Sequence, residues 1–204
     1  APAPATAPAP AAHGVPAEVN QCAGRDRCYD AGSFIAELGQ LTAGSEGRHH
    51  VLRSVVKFRN MSAQPLILMY KGSTSGATDN LGNRYYFGHA STVDMSVEGI
   101  PTFQGRGADA SFMLSPGQSR DARFTVIRFN AQNQQLGTSF NQDMSILLVE
   151  PLPGNQARIG REFAVSFHDL SVGQTDNARA AGNAVAGEAA KRLLDALRNR
   201  GKKP

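Results

Sequence analysis

Few residues of this chain have types and spacing that could do chemistry, and the first group is a serine-rich loop. Residues 72–76 read Gly-Ser-Thr-Ser-Gly, close to the G-x-S-x-G turn that presents a catalytic serine. Thr74 stands where that turn needs its serine, and no helix-forming pattern follows. A flexible loop is therefore the better interpretation.

The five histidines do not form a metal-binding pattern. His49 and His50 are adjacent, and on a strand their rings would point to opposite faces. No cysteine lies near them, and no H-E-x-x-H spacing occurs. Because no nucleophile, base and acid can be assembled either, we predict no metal, no cofactor and no enzymatic activity.

Residues 79–83 carry oxygen-bearing side chains around a glycine. Asp79, Asn80 and Asn83 surround Gly82, as in a calcium loop, but Leu81 and Gly82 occupy positions where that loop needs ligands. The alternative is a turn stabilised by the Asp79 side chain, with Gly82 at positive φ. We favour this structural turn.

Cys22 and Cys28 are the only cysteines and are separated by a short polar segment. Two cysteines this close in an exported protein most simply form one disulfide, which would stabilise the fold by about 2 kcal/mol. The alternative is two free thiols in a reducing compartment. A zinc site is not indicated, because the spacing is not C-x-x-C.

The Ala/Pro-rich start of the chain and the shortness of its apolar runs indicate an exported protein. The chain starts at Ala1 with an Ala/Pro-rich stretch that lacks the basic and apolar regions of a signal peptide. We interpret it as a mature chain whose signal has been removed, although a trimmed chain would look the same. The longest apolar run, residues 65–70, is far shorter than the ~20 residues of a membrane span. We therefore expect a periplasmic or extracellular location without a transmembrane segment.

The elements that must position these residues are β-strands. Leu52, Val56 and Phe58 alternate with charged residues over 51–60, whereas 65–70 is apolar on both parities, as in a central strand. Further predicted strands are 34–41, 84–87, 111–114, 124–129, 144–149 and 161–167, with turns at 42–47 and at Pro116-Gly117. Roughly eight or nine short strands predict an antiparallel β-sandwich.

The aromatic run at 85–87 divides between the two faces of its strand. Tyr85 and Phe87 share one side, for which core packing is expected. Tyr86 is then predicted to be exposed.

Composition divides the chain into three parts. Residues 1–20 form an Ala/Pro-rich linker that is predicted to be disordered, and residues 21–172 form the β-sandwich domain. Residues 173–204 are predicted to form an amphipathic helix with a basic tail. The apolar stripe proposed to bind a partner is Val185, Ala189, Leu193 and Leu197.

The net charge of +4 does not indicate nucleic-acid binding. The excess of Lys and Arg lies in the C-terminal tail, while the body is close to neutral. The tail is suited at most to an anionic surface, and we predict no nucleic-acid partner.

Three turn and core patterns carry a resemblance to a known group of proteins. They are residues 51–60 followed by Pro65-Leu66, the turn Asp79-x-x-Gly82-x-x-Tyr85, and Phe112-x-Leu114-x-Pro116-Gly117 leading to Phe124. Over roughly residues 31–168 the chain resembles bacterial exported immunoglobulin-like domains of unassigned function. The resemblance implies an immunoglobulin-like sandwich and no catalytic residues.

Two functions remain open. The first is a non-enzymatic exported adaptor or structural subunit that binds an envelope or extracellular protein through an edge strand or its C-terminal helix. The alternative is a carbohydrate- or small-ligand-binding module that uses the 88–110 and 130–143 loops.

Overall fold

The computed structural model describes residues 20–86, 97–105, 107–154 and 156–172. Over these residues the chain is mainly β, as predicted, and its strands are joined by antiparallel pairing with one parallel exception. The single helical element within the described ranges is a 3-10 turn, Ala110–Phe112. The predicted C-terminal helix and all but the last residue of the predicted linker lie outside the described residues.

Twelve strands make up the described sheet. They are β1 (Cys28–Asp30), β2 (Phe34–Glu46), β3 (His49–Asn60), β4 (Leu66–Lys71), β5 (Gly76–Asp79), β6 (Arg84–Tyr86), β7 (Val97–Glu98), β8 (Thr102–Phe103), β9 (Met113–Leu114), β10 (Ser119–Arg128), β11 (Ser139–Leu152) and β12 (Gln156–Ser171).

The sheet has two halves joined by a hairpin. In the first half, β1, β2, β3 and β10 pair in that order, and β7 adds to β10. In the second half, β11 pairs with β12 along one edge and with β4 and β5 along the other, while β8 and β9 add to β4. The β5–β6 hairpin connects the halves, because β5 pairs with β11 and β6 pairs with β10.

Both halves contribute to one hydrophobic core. The Phe34 ring of β2 lies 5.0 Å from the Phe163 ring of β12, and Tyr70 of β4 lies 5.8 Å from Phe124 of β10. All four side chains are buried. Such edge-to-face aromatic pairs add to the free energy gained by burying apolar area.

A second, smaller cluster explains why the run at 65–70 is apolar on both parities. Ile67 and Met69 point away from the main core and pack with Leu147 and Val149 of β11. Phe103 and Ala108, from the segment that crosses this face, pack against the same cluster. Both faces of β4 are therefore buried, as its sequence predicts.

Several strand boundaries differ from the sequence predictions. The predicted 42–47 turn is wrong, since β2 continues to Glu46, where it pairs with His49. The predicted 130–143 loop is too long, because β11 begins at Ser139. Polar residues 141–143 can belong to a strand there because β5 pairs with all three and β12 pairs with Gln142 and Asp143. Of the predicted strand at 111–114, residues 113–114 form β9, whereas Ser111 and Phe112 belong to the 3-10 turn.

The C-terminal end of β12 is tied to the first half by a buried arginine. Arg27 is only 3% exposed, and its guanidinium donates to the Ser171 carbonyl at 2.7 Å and to the Gly39 carbonyl at 3.3 Å. The side chain satisfies carbonyl groups of β2 and β12.

Asn60, at the end of β3, organises two turns. Its side-chain nitrogen donates to the carbonyls of Gln64 and Leu114, and its oxygen accepts from the Ser62 amide. The predicted Pro116-Gly117 turn lies against it: Gly117 has φ 74°, and its amide donates to the Asn60 carbonyl at 3.0 Å.

We predict that Asn60→Ala lowers the free energy of unfolding by about 2–3 kcal/mol, because it removes the side-chain donor to the buried Leu114 carbonyl and the acceptor of the Ser62 amide. Urea denaturation measures the change. Asn133→Ala is the matched control, since Asn133 is exposed, and it should change stability by less than about 0.5 kcal/mol. Equal losses in the two variants would contradict the role given to Asn60.

Candidate functional site

The polar centre of the described chain is the Asp79 carboxylate, at the tip of the β5–β6 hairpin. Asp79 is 5% exposed. Its Oδ1 accepts from the Leu81 amide at 3.0 Å and the Asn83 amide at 2.8 Å. Its Oδ2 accepts from the Asn83 side chain, the Tyr85 hydroxyl and the Gly137 amide. Gly82 follows in the turn with φ 79°.

The loop before β11 lies tightly against this hairpin. A Cβ atom at Gly137 would lie 2.5 Å from the Asp79 Cβ, so glycine is required at position 137 by close approach. Asn80 Oδ1 accepts from the Thr138 amide at 2.9 Å, and the Asn80 amide donates to the Ser139 carbonyl. The loop therefore belongs to the same hydrogen-bonded unit as the turn.

The electrostatics of Asp79 fit a structural role. Burial raises the pKa of its carboxyl group, but hydrogen bonds from Asn83, Tyr85 and Leu81 outweigh burial, and the pKa lies below its ordinary 3.8. Burial, together with the Asp79 charge, raises the pKa of the Tyr85 hydroxyl far above 10.0. Asp79 therefore remains an anion and Tyr85 a hydroxyl donor at neutral pH.

The aromatic residues of β6 divide as the sequence predicts. Tyr85 is buried with its ring 5.7 Å from that of Phe140, whereas Tyr86 is 53% exposed. Phe87 lies outside the described residues.

The serine-rich loop at 72–76 is held by its neighbours. The Tyr70 hydroxyl accepts from the amides of Thr74 and Ser75, and the Thr74 hydroxyl donates to the Lys71 carbonyl. The Thr74 oxygen also accepts from the Ser145 amide. These contacts hold the loop in one conformation, and the loop connects β4 to β5.

The adjacent histidines are both buried, at the start of β3. His49 Nδ1 accepts from the Asn130 amide at 3.3 Å, and its ring lies edge-on to Phe129. Within the described residues, no group of His, Cys, Asp and Glu side chains is arranged to hold a metal ion.

Cys22 and Cys28 form a disulfide, as predicted, with their Cα atoms 5.3 Å apart. The bond closes the segment that leads into β1. Arg25 within this loop pairs with Glu37 of β2 at 2.5 Å, and the Arg25 amide donates to the Cys22 carbonyl. The first described residues are thereby fixed against the first half of the sheet.

A cleft of about 830 Å³ lies between this segment and β12, and we call it the β12 cleft. One wall is formed by residues 20–21 and by residues 29–33, which are the end of β1 and the turn after it, with Met61 and Ser62 beside them. The other wall is formed by Leu148, Arg161 and Phe163. Sequence reasoning missed this site, because its residues come from distant segments: Leu148, Arg161 and Phe163 lie in predicted strands, but nothing in the sequence brings those strands to residues 20–33.

The edge of β12 that does not pair with β11 borders the β12 cleft, and we call it the outer edge. Among the described strands, β12 has backbone pairing with β11 alone. Register shifts occur between Phe140 and Gln142 and between Leu148 and Val149 of β11. Between them, residues 161–167 form a regular stretch of β12.

The other predicted contact regions are placed only in part. The stripe Val185, Ala189, Leu193 and Leu197 lies outside the described residues. The 88–110 loop contains β7, β8 and the start of the 3-10 turn, while 88–96 and Arg106 are outside the described ranges. The carbohydrate- or ligand-binding alternative stays a prediction.

The described chain thus defines a disulfide-bonded, mainly antiparallel β protein with an unpaired strand edge. None of its described helices has the length and hydropathy to cross a bilayer. No family model matches the chain, and no curated protein or solved structure is significantly similar to it.

We predict that Asp79→Asn lowers the free energy of unfolding by about 2–3 kcal/mol at pH 7, since an amide nitrogen would face N–H donors. Because the folded pKa of Asp79 is depressed, its contribution is present above pH 3.8 and is lost as the pH falls through the folded pKa. Urea denaturation from pH 7 to pH 2 should show the difference between parent and variant shrinking below 3.8.

Asp143→Asn is the control for this experiment, because Asp143 is exposed on β11. Its stability should follow that of the parent across the pH range. If the free energies of unfolding of the parent and Asp79→Asn differ by the same amount at every pH, the claim that Asp79 is ionised in the folded protein is contradicted.

We predict that Gly82→Ala destabilises the protein by about 1 kcal/mol. The cost comes from the positive φ of 79° alone, because an added Cβ meets nothing within 4 Å. Gly82→Asn should lose less, since asparagine tolerates this conformation. Thermal unfolding measures both variants. A melting midpoint for Gly82→Ala equal to that of the parent would contradict the strain expected of alanine at this φ.

Proposed function

We propose that this chain is a non-enzymatic, exported adaptor or structural subunit with an immunoglobulin-like sandwich fold. In this proposal it binds an envelope or extracellular protein through the outer edge of β12. The observation that carries the proposal is that edge: a 16-residue strand pairs on one side only among the described residues.

An unpaired strand edge is a ready template for another strand. Its free N–H and C=O groups can pair with an extended segment of a partner, so the backbone provides affinity and alternate side chains provide specificity. Proteins that avoid this contact place proline, lysine or other charged side chains on the edge, or interrupt it with a bulge. β12 contains no proline and no lysine, and its charged residues are Arg158, Arg161, Glu162 and Asp169.

The middle of β12 is suited to such pairing. Residues 161–167 pair without interruption with 142–148 of β11, so their backbone is regular. Phe163, Val165 and Phe167 point into the core and fix the strand in place. An added strand would meet an edge that is already ordered, which reduces the entropy lost on binding.

The disulfide supports the exported part of the proposal. Structural disulfides persist in oxidising compartments and are rare in the cytosol. The Cys22–Cys28 bond lies at the start of the described fold, next to the β12 cleft. The predicted C-terminal helix is the competing contact with a partner.

Hydrogen exchange of β12 tests the proposal. The full chain, immobilised, captures partners from a native envelope fraction, and a variant without residues 173–204 is treated in parallel. We expect both chains to capture the same protein. We also expect that protein, once purified, to slow amide exchange within 161–167 at least about tenfold, because a new strand supplies acceptors.

Exchange within β3 serves as the internal control, because β3 already has strands on both sides and should change little. If the shortened chain loses capture and exchange in β12 stays unchanged in the full complex, the helix is the contact and the edge is not.

A further inference from the structure

We infer that the β12 cleft selects the partner: it takes an extended segment that carries a carboxylate next to an aromatic or large apolar side chain. This inference rests on the proposed function, because the same segment would pair with the outer edge of β12. The charge, the apolar surface and the rigidity of the cleft each support it.

The charge comes from Arg161. Its guanidinium carbon lies 4.8 Å from the centre of the Phe163 ring, so the planar group is stacked on a buried aromatic side chain. No carboxylate of the described residues lies within ion-pair distance of Arg161. An arginine held by a ring keeps its N–H donors available, and they match the two oxygens of a carboxylate.

The other arginine of this strand behaves differently. Arg158 forms an ion pair with Glu150 of β11 and does not line the cleft. Both arginines lie on β12, but within the described residues only Arg158 forms an ion pair. A new acidic group would therefore bind at Arg161.

The remaining charge in the cleft is already engaged. Asp30 lines the opposite segment, and its Oδ2 accepts from the Gln21 amide at 2.7 Å while its Oδ1 accepts from the Gly32 amide at 2.8 Å. Backbone N–H groups thus partly balance this carboxylate. Arg161 remains the cation that an incoming anion would meet.

The walls also offer apolar surface. Met61 is 36% exposed, and Tyr29 and Leu148 are half-buried around the same space. A side chain with an apolar body would cover Met61 and Leu148 and remove their apolar area from water.

The wall of the cleft that faces β12 is preformed. The disulfide and Asp30 hold the first wall, and Asn60 fixes the Met61–Ser62 turn through the Ser62 amide at 2.8 Å. The Met61 amide donates to the Ser33 carbonyl at 2.9 Å, which joins these parts. A rigid site loses little entropy on binding and discriminates by side chain.

Strand geometry connects the cleft to the outer edge of β12. Arg161 and Phe163 are two residues apart, so both point to the same face of the sheet. Side chains of an added strand alternate in the same way, and every second one would point toward the cleft. A carboxylate and an aromatic side chain two residues apart in the partner would both reach it.

Selection from a displayed library of random linear dodecapeptides tests the inference, with the full chain as bait. Arg161→Gln and Arg158→Gln are the paired variants. We expect peptides enriched by the parent and by Arg158→Gln to place Asp or Glu within two residues of Phe, Tyr, Trp or Leu. For the enriched peptides, Arg161→Gln should weaken binding about tenfold or more, and Arg158→Gln less than about twofold.

Amide exchange in β12 separates this inference from the proposed function. Enriched peptides that protect residues 161–167 but show no acidic preference, and that bind Arg161→Gln normally, would overturn the cleft inference and leave the edge proposal standing. Acidic peptides that depend on Arg161 without protecting β12 would support the carboxylate site and count against strand pairing. No enrichment at all would overturn the inference.

Sedimentation of the bait without peptide tests the other candidate for the cleft, a second copy of the chain. We expect the parent and Arg161→Gln to sediment identically as monomers at the concentrations used. A dimer that Arg161→Gln dissociates would assign the cleft to a second copy of the chain and overturn the peptide assignment.

Discussion

The buried carboxylate of Asp79 is the constraint on which the arrangement of this sheet depends. A carboxylate removed from water is costly unless donors replace its hydration. Here the donors come from the turn itself, from the Tyr85 hydroxyl and from the Gly137 amide. The charge can be buried only when the hairpin and the loop before β11 are both in place, so it couples the two.

This coupling matters because the hairpin is the connection between the halves of the sheet. β6 meets β10 through a single residue pair, Ile127 with Tyr86, whereas β5 pairs with β11 over four. So narrow a junction would not fix the relation of two large half-sheets by itself. The packing of Phe34 on Phe163 and the bonds of Arg27 to Gly39 and Ser171 hold the opposite side.

The sequence carries local information well and long-range information poorly. The alternation of β3, the apolar run of β4, the exposure of Tyr86 and the disulfide all follow from neighbouring residues, and each could be predicted. The contact of Gly137 with Asp79 spans 58 positions, and nothing in the residues around Gly137 indicates it. The polar residues at the start of β11 predict a loop for a related reason: whether they form a strand depends on pairing with β5 and β12, which lie elsewhere in the chain.

The β12 cleft is the extreme case of this limit. Its walls combine a turn before β2, a turn after β3 and two late strands, and no spacing rule joins Tyr29, Met61 and Arg161. Sequence reasoning supplies only the expectation that no nucleophile, base and acid come together. The fold brings the Arg161 guanidinium, which has no ion pair among the described residues, beside a strand edge with which none of the described strands pairs.

The distribution of polar groups explains why binding is expected at the edge and not in the interior. Inside, the polar side chains mostly serve one another: Gln142 donates to the Ser54 hydroxyl at 2.8 Å, and Asn60 and Asp79 are engaged by turns and loops. Groups already paired in the folded chain gain little from a ligand, because each new hydrogen bond must replace an existing one. Along residues 161–167 of β12, by contrast, none of the described strands pairs with the outer edge, so a partner strand would replace no strand pairing of the described chain. A segment that also places a carboxylate on Arg161 would gain a charge-assisted bond in a site that is already ordered, and specificity would follow from the combination of strand pairing and this contact.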